Sequence, residues 1–412
     1  GYVAESPKTS LKRMAILLSF IQEIWSEDES VLSDSYSLKV NNATCTVPLM
    51  AMSEMLSYSG QSEIFTAKAI VEILSGKSLI SKTAIKGITR TNTSSPHVHS
   101  YHKYKAKFFP RFVRSLIVSN LSKESITVCD PYVGSGTTLV ESSMLGFDSF
   151  GYDIDPLSCF ISEIKSNALN TSINDLCTSL GTFQKPKQVF EYTFPDEIQK
   201  KFVRWDTLND MYDFENEISK ELSLINNEIG FYKQLNQIAL SDALTRKFNI
   251  RMMGTGSGRF ALEIAKTSIQ SLIKGNMKSS IEALKTVENL KELYKLTMPT
   301  PSVYLGDATN RNCIDGSCDI IVTSPPYLPA SSGREDYLVG KMISLKALGL
   351  LDNKEQILQN SVGSMKCQNN TDLAGLPDSV IELYKWLAND ELRSIKAVPI
   401  VAYYHSLKKS LS

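Results

Sequence analysis

The chain lacks a net charge: its 44 lysines and arginines balance its 44 aspartates and glutamates. It therefore offers no global electrostatic footprint for nucleic acid, and any such binding has to use a local basic face. Histidine is scarce, with four residues in 412. Three of them, His97, His99 and His102, share one short stretch, but no cysteine or carboxylate cluster accompanies them, so no metal is expected. The seven cysteines never fall in CxxC spacing. That argues against a disulfide framework or a zinc ribbon and for reduced thiols in a cytoplasmic protein. Neither a signal peptide nor an apolar run of spanning length is present, so membrane insertion is not expected.

A hydrophobic share of 42% and a charged share of 21% describe an ordinary globular composition, in a chain long enough for an α/β core with helical additions. Residues 1–95 read as a helical accessory region: Leu11, Met14, Leu18, Ile21 and Trp25 share one helical face, with Thr9 or Ser10 as its cap. The polar run Thr91–Pro96 reads as the linker that closes it. Between residues 157 and 301 helical patterns dominate, most clearly at Ile281, Leu284, Val287, Leu290 and Leu293. A connection this long between core strands has to be a subdomain, either a target-recognition element or a helical cap. Inside it the glycines of 254–258 with Arg259 could bind an anion such as a nucleic-acid phosphate, but since no β-branched strand precedes them they read as a flexible loop before a helix from Leu262 to Ile273 rather than as a second nucleotide site. A second polar, helical insertion spans 331–395, where Asp336, Tyr337 and Lys341 could border a substrate cleft but read more simply as surface residues, and a core helix is expected over 396–412.

The chemistry-bearing stretches lie between these additions. Ile126–Asp130 is a β-branched run feeding the turn Pro131-Tyr132-Val133-Gly134-Ser135-Gly136 and then a helix from Thr137-Thr138. Glycines at 134 and 136 let the backbone approach a ligand, and a helix amino terminus favours a carboxylate. No Gly-Lys-[Ser/Thr] follows this turn, which disfavours ATP or GTP there. A second strand ends at Asp153, roughly 20 positions past the glycines, where an acid can accept hydrogen bonds from ribose hydroxyls. Val303–Ala308 reads as a third strand, and Asp319–Thr323 as a fourth that runs into Ser324-Pro325-Pro326-Tyr327. Two prolines forbid both a continuing ladder and a helix. The chain must leave the sheet extended, at a strand's carboxyl end, where open α/β sheets bind ligands. Two acceptors and an aromatic ring there suit a planar amino group, whose lone pair is delocalised until its hydrogens are drawn towards acceptors. Upstream, Ser100–Pro110 interleaves basic and aromatic residues.

Asp130-Pro131-Tyr132-x-Gly134-x-Gly136-Thr137-Thr138 together with Ser324-Pro325-Pro326-Tyr327 resembles the motif pair of the S-adenosylmethionine-dependent amino DNA methyltransferases. The resemblance covers residues 100–156 and 302–328. It implies a Rossmann-like class I methyltransferase core, with its first half at 96–156 and its catalytic strands at 302–330. By the resemblance Phe109 lies against the cofactor, Asp130 meets the methionine amino group, Thr137 and Thr138 lie near its carboxylate, Asp153 holds the ribose, and Asp307 lies near the adenine. Ser324, Pro325 and Tyr327 would hold a flipped DNA base. Serine first in the catalytic turn favours N4-cytosine over N6-adenine, although many Ser-type enzymes carry the two motifs in the reverse order. Ring-carbon methylation needs a Pro-Cys pair that is missing here, and protein glutamine methylation uses Asn where Ser324 stands. An RNA base methyltransferase or an inactive cofactor-binding subunit stays open. The family's remaining strands are not seen after Leu411, so a second chain or a further segment is expected to complete the core.

Overall fold

The structure, a computed structural model, describes residues 35–40, 43–48, 97–104, 107–108, 110–119, 126–180, 189–204, 206–252, 260–294, 297–310, 317–326, 335–351, 357, 360–362 and 372–411. In chain order its strands are β1 Ser35–Val40, β2 Ala43–Pro48, β3 Thr127–Asp130, β4 Asp148–Asp153, β5 Phe248–Met252, β6 Phe260–Ile264, β7 Ser302–Leu305 and β8 Ile320–Ile321. The helices are α1 Pro110–Ser119, α2 Thr137–Met144, α3 Pro156–Ala168, α4 Ile173–Leu180, α5 Asp196–Arg204, α6 Leu208–Ile225, α7 Gly230–Lys247, α8 Ile269–Tyr294, α9 Glu335–Ala347, α10 Asp378–Ala388 and α11 Ala397–Leu411.

β3, β4, β7 and β8 form a parallel sheet in the order β7-β4-β3-β8. The chain works outward from β3 to β7 and then crosses back to lay β8 on the other side of β3. The strand order thus reverses between β3 and β8, and their carboxyl ends flank the crevice where such sheets bind ligands. β3 is buried because its β-branched run lies between two neighbours. β8 is shorter than the expected 319–323. Only Ile320 and Ile321 pair as a strand, although Val322 still donates to the Cys129 carbonyl at 3.0 Å before the prolines end the ladder.

In β4, Ser149, Gly151 and Asp153 are buried while Phe150 and Tyr152 are half-buried, the period-2 alternation of a strand with unlike faces. α2 lies on the buried side, where the Ser149 hydroxyl reaches the Leu139 carbonyl. On the other side Tyr152 stacks on Tyr304 of β7, with ring centroids 5.2 Å apart, and Tyr304 stays exposed.

The segment after α3 is helical, as its periodicity predicts. α4 to α8 share one apolar core with α2 and α3, in which Phe194, Phe202, Phe214 and Phe248 pack ring against ring. Within it, β5 and β6 correct the expectation of a helix from Leu262. Phe248-Asn-Ile-Arg-Met and Phe260-Ala-Leu-Glu-Ile alternate apolar and polar side chains and pair antiparallel, so a strand does precede the glycine-rich stretch. Residues 253–259 themselves lie outside the described residues.

The two halves of the second insertion go to different places. Leu338, Ile343 and Leu345 of α9 join the large core, whereas Val380 and Leu387 of α10 form a small cluster with Ile400 and Val401 of α11. In the amino-terminal region the described residues are not helical. β1 and β2 pair antiparallel from Ser35↔Pro48 to Val40↔Ala43, a hairpin suited to Ser-Tyr-Ser-Leu-Lys-Val and Ala-Thr-Cys-Thr-Val-Pro with Asn41-Asn42 between them. The helical stripe expected at Leu11–Trp25 lies outside the described residues. Among the described residues, no helix is long and apolar enough to cross a membrane.

Candidate active site at the chain reversal

The turn after β3 is built from the inside. Gly136 sits at φ 78° as the residue before α2, and a Cβ there would collide with the Ser162 side chain and lie 3.0 Å from its Cα, so only glycine fits. Gly134, at φ 53°, donates its N–H to the Asp153 carboxylate at 2.8 Å. The other Asp153 oxygen accepts from the Asp155 N–H at 2.9 Å. Asp153 therefore ties the first turn to the end of β4. Gly151 allows the strands to approach, because a Cβ on it would overlap Val133 and the Asp130 carbonyl.

Asp130 lies at the floor of the crevice and is buried. Burial pushes its carboxyl up to about 6, against the nearby Thr323 and Thr138 hydroxyls and the Tyr132 N–H, which donates to it at 3.0 Å and favours the ion. No side chain caps α2, so the positive end of that helix is open to an anion. The hydroxyl of Ser135 in the same turn is buried without a partner among the described residues. An ammonium beside Asp130 and a carboxylate at the start of α2 would complete what this turn leaves unmatched, so the residues fit the amino-acid end of S-adenosylmethionine.

Thr137 and Thr138 open α2, but their hydroxyls already have acceptors. Thr137 points to the Phe108 carbonyl at 3.4 Å, and Thr138 to the Val322 carbonyl at 3.1 Å. The Thr138 bond holds the end of β8 to the helix that starts from β3. Pro131 is buried in the turn, and the Tyr132 hydroxyl donates to Ser410 of α11 at 2.7 Å. Asp307 follows β7 beside the end of β4, where Gly306 donates to the Asp153 carbonyl, and its carboxylate accepts from the Thr309 N–H and hydroxyl, both at 2.8 Å. Ser324, Pro325 and Pro326 are half-buried just past β8, and the Pro326 carbonyl accepts from the Tyr403 hydroxyl at 2.8 Å. Phe109 and Tyr327 lie outside the described residues.

Several polar groups that the motifs did not single out frame this crevice. Lys341 is half-buried rather than exposed. From α9 it pairs with Asp155, donates to Tyr104 at 3.0 Å and Ser158 at 3.2 Å, and sits 4.4 Å from the centre of the Tyr104 ring. Burial acts against its charge, but the Asp155 carboxylate outweighs that and holds its pKa above the usual lysine value. Asp155 in turn caps α3 through the Leu157 N–H. Lys165 of α3 is fully buried and donates to the Ser135 carbonyl at 3.0 Å, and burial drives its pKa well down.

Residues in and around the basic-aromatic stretch also make structural contacts. His99 bonds Glu141 at 2.6 Å, and Arg114 pairs with the same carboxylate, all three fully buried. Burial opposes ionisation of Glu141, yet Arg114 and His99 hold its pKa below the ordinary carboxylate value. His102 meets Ser241 at 2.9 Å, and the Lys103 N–H meets Asp242 at 2.6 Å. The histidines thus bind different elements. An acid within the apolar run Leu139-Val140-Glu141 was a readable signal of a buried pair, whereas nothing local marks Lys341.

Comparison with known proteins follows the same lines. A family model described as DNA methylase matches residues 19–163, which reach from before the first described strand to within α3. The Type II methyltransferase M.BsoBI of Geobacillus stearothermophilus is 27% identical over 314 residues, covering 70% of this chain and 60% of the relative. M.MvaI of Kocuria varians, another Type II methyltransferase, is 24% identical over 359 residues, 79% of this chain and 75% of the relative. M.MjaII of Methanocaldococcus jannaschii, also a Type II methyltransferase, is 44% identical over 69 residues, 17% of this chain and 13% of the relative. No solved structure matches.

Proposed function

We propose that the chain is an amino DNA methyltransferase, as its similarity to Type II methyltransferases supports, and that it transfers a methyl group from S-adenosylmethionine to the exocyclic N4 amino group of cytosine in DNA, on a Rossmann-like class I methyltransferase core. The observation that carries this reading is the adjacency of two turns. The Asp130–Gly136 turn and the Ser324–Pro326 turn leave neighbouring parallel strands at the point where the sheet reverses its order. One turn suits a cationic amino acid and the other suits an amino group.

S-adenosylmethionine supplies the electrophilic methyl on its sulfonium. The protein supplies position and electrostatics. Asp130 would hold the ammonium, the open start of α2 the carboxylate, and Asp153 the ribose. Asp307 would border the adenine and Phe109 would lie against the cofactor. Ser324 and the Pro325 carbonyl would accept the two hydrogens of the target amino group and draw its nitrogen towards tetrahedral geometry. Tyr327 would stack on the flipped base. The nitrogen lone pair forms the new N–C bond as the S–C bond breaks, and the nitrogen then loses one proton to solvent. Serine at position 324 supports cytosine over adenine.

The test is mass spectrometry of nucleosides from mixed-sequence DNA incubated with the protein and isotopically labelled S-adenosylmethionine. Labelled N4-methylcytosine is expected, falling at least about a hundredfold in Ser324→Ala. Label in N6-methyladenine would move the same mechanism to the other base. Unlabelled DNA with bound cofactor would assign the chain to one part of a two-part enzyme.

A further inference from the structure

α11 touches both turns. Tyr403 donates its hydroxyl to the Pro326 carbonyl at 2.8 Å, and seven residues on, Ser410 accepts from the Tyr132 hydroxyl at 2.7 Å. Residues i and i+7 lie on one face of a helix, about 10 Å apart along its axis. A single rigid face therefore reaches from the catalytic turn to the cofactor turn.

The catalytic turn needs such a support. Pro325 and Pro326 have no N–H, so this segment cannot extend the β8 ladder. Thr138 secures the chain at Val322, and Tyr403 secures it again at Pro326. α11 is itself well anchored. Ile400 and Val401 pack with Leu376, Val380 and Leu387, Tyr403 meets Tyr404 edge to face at 5.3 Å, and Lys408 donates to the Gly375 carbonyl at 3.0 Å. Tyr403 is buried, and that burial raises its pKa, so the hydroxyl stays a donor at any working pH.

We propose that Tyr403 is a positioning residue for methyl transfer: its hydroxyl fixes the Pro326 carbonyl, and through it the direction in which Ser324 and the Pro325 carbonyl face the target amino group. This rests on the reading of Ser324–Pro326 as the catalytic turn. Tyr403 touches neither cofactor nor base in this role. Removing its hydroxyl therefore acts on turnover and leaves cofactor binding alone.

The experiment is Tyr403→Phe in the full chain, which keeps the ring and deletes one hydrogen bond. Three quantities are measured: kcat for DNA methylation at saturating substrates, the S-adenosylmethionine dissociation constant by calorimetry, and the melting temperature. The expected result is kcat lower by about tenfold, or roughly 1.4 kcal/mol in the barrier, with the dissociation constant within about twofold and melting within a few degrees of the unsubstituted chain. An unchanged kcat would overturn the proposal, as would a loss matched by weaker cofactor binding or lower melting. Absence of transfer by the unsubstituted chain would overturn the catalytic reading and this proposal together, whereas transfer indifferent to Tyr403→Phe would overturn this proposal alone.

Discussion

The two halves of the crevice are held in different ways. The half proposed to hold the cofactor closes on itself within a short stretch of chain: Gly134 to Asp153, Asp155 to Asp153, Leu157 to Asp155, and Lys165 to Ser135. The half proposed to hold the target base hangs from a two-residue strand, and its ties come from far away, Thr138 to Val322 and Tyr403 to Pro326. A cofactor pocket assembled from neighbours can be preorganised by local geometry. A turn that has given up its own donors to proline is positioned by whatever packs against it, and its precision depends on the rest of the fold.

The largest expected effect strikes beneath the cofactor half. Glu141→Gln leaves Arg114 buried without its carboxylate, and urea denaturation should show a loss of about 3–5 kcal/mol. A loss below about 1 kcal/mol would mean that α2 is not fastened to α1 through this pair. Gly151→Ala comes next. The added methyl has to push Val133 or the Asp130 carbonyl aside, which should cost about 1–3 kcal/mol of stability and weaken cofactor binding. Retained cofactor affinity in that variant would show the two strands to be less tightly matched than the turn implies.

The smallest effect is one of pH, and it separates the two halves. Asp130 has to be ionised to hold an ammonium, and its carboxyl is raised to about 6. Affinity for S-adenosylmethionine should therefore hold above that pH and fall by up to about tenfold per unit below it. Asp130→Asn should abolish the dependence along with most of the affinity.

Folding itself carries opposite signs. The raised Asp130 carboxyl favours the folded state below its ordinary 3.8, and that gain is lost as pH rises through about 6. His99 and His102, lowered by burial to about 4, contribute stability above their ordinary 6.5 that is lost as pH falls towards 4. Two histidines against one carboxylate should make the acid side the weaker, which a melting series from pH 4 to 7 would measure.

The geometry of the Asp130–Gly136 turn was legible because each of its requirements is local. Glycine where φ is positive, an acid after the next strand and a β-branched run before the turn all appear within one stretch of chain. The departure of the chain from the sheet at Pro325-Pro326 was legible for the same reason, since prolines dictate their own geometry. The β1–β2 hairpin and the β5–β6 hairpin were misread as helical ground or loop. Their alternation is short, and it sits among longer helical periodicities that dominate any wide window.

Lys341 was read as a surface residue because a lysine in a polar helix carries no sign of its partner. That partner, Asp155, lies 186 positions away. Tyr403 is 77 positions from the carbonyl it holds.

By itself the sequence determined where the chain has to turn on glycine after β3 and where it has to leave the sheet after β8, because backbone freedom, missing N–H groups and strand propensity are properties of a few adjacent residues. Only the tertiary structure decided which side chains hold those turns in place. A buried charge or a proline-interrupted strand has to be matched by groups from distant elements, and burial and hydrogen-bond geometry exist only once the chain has folded.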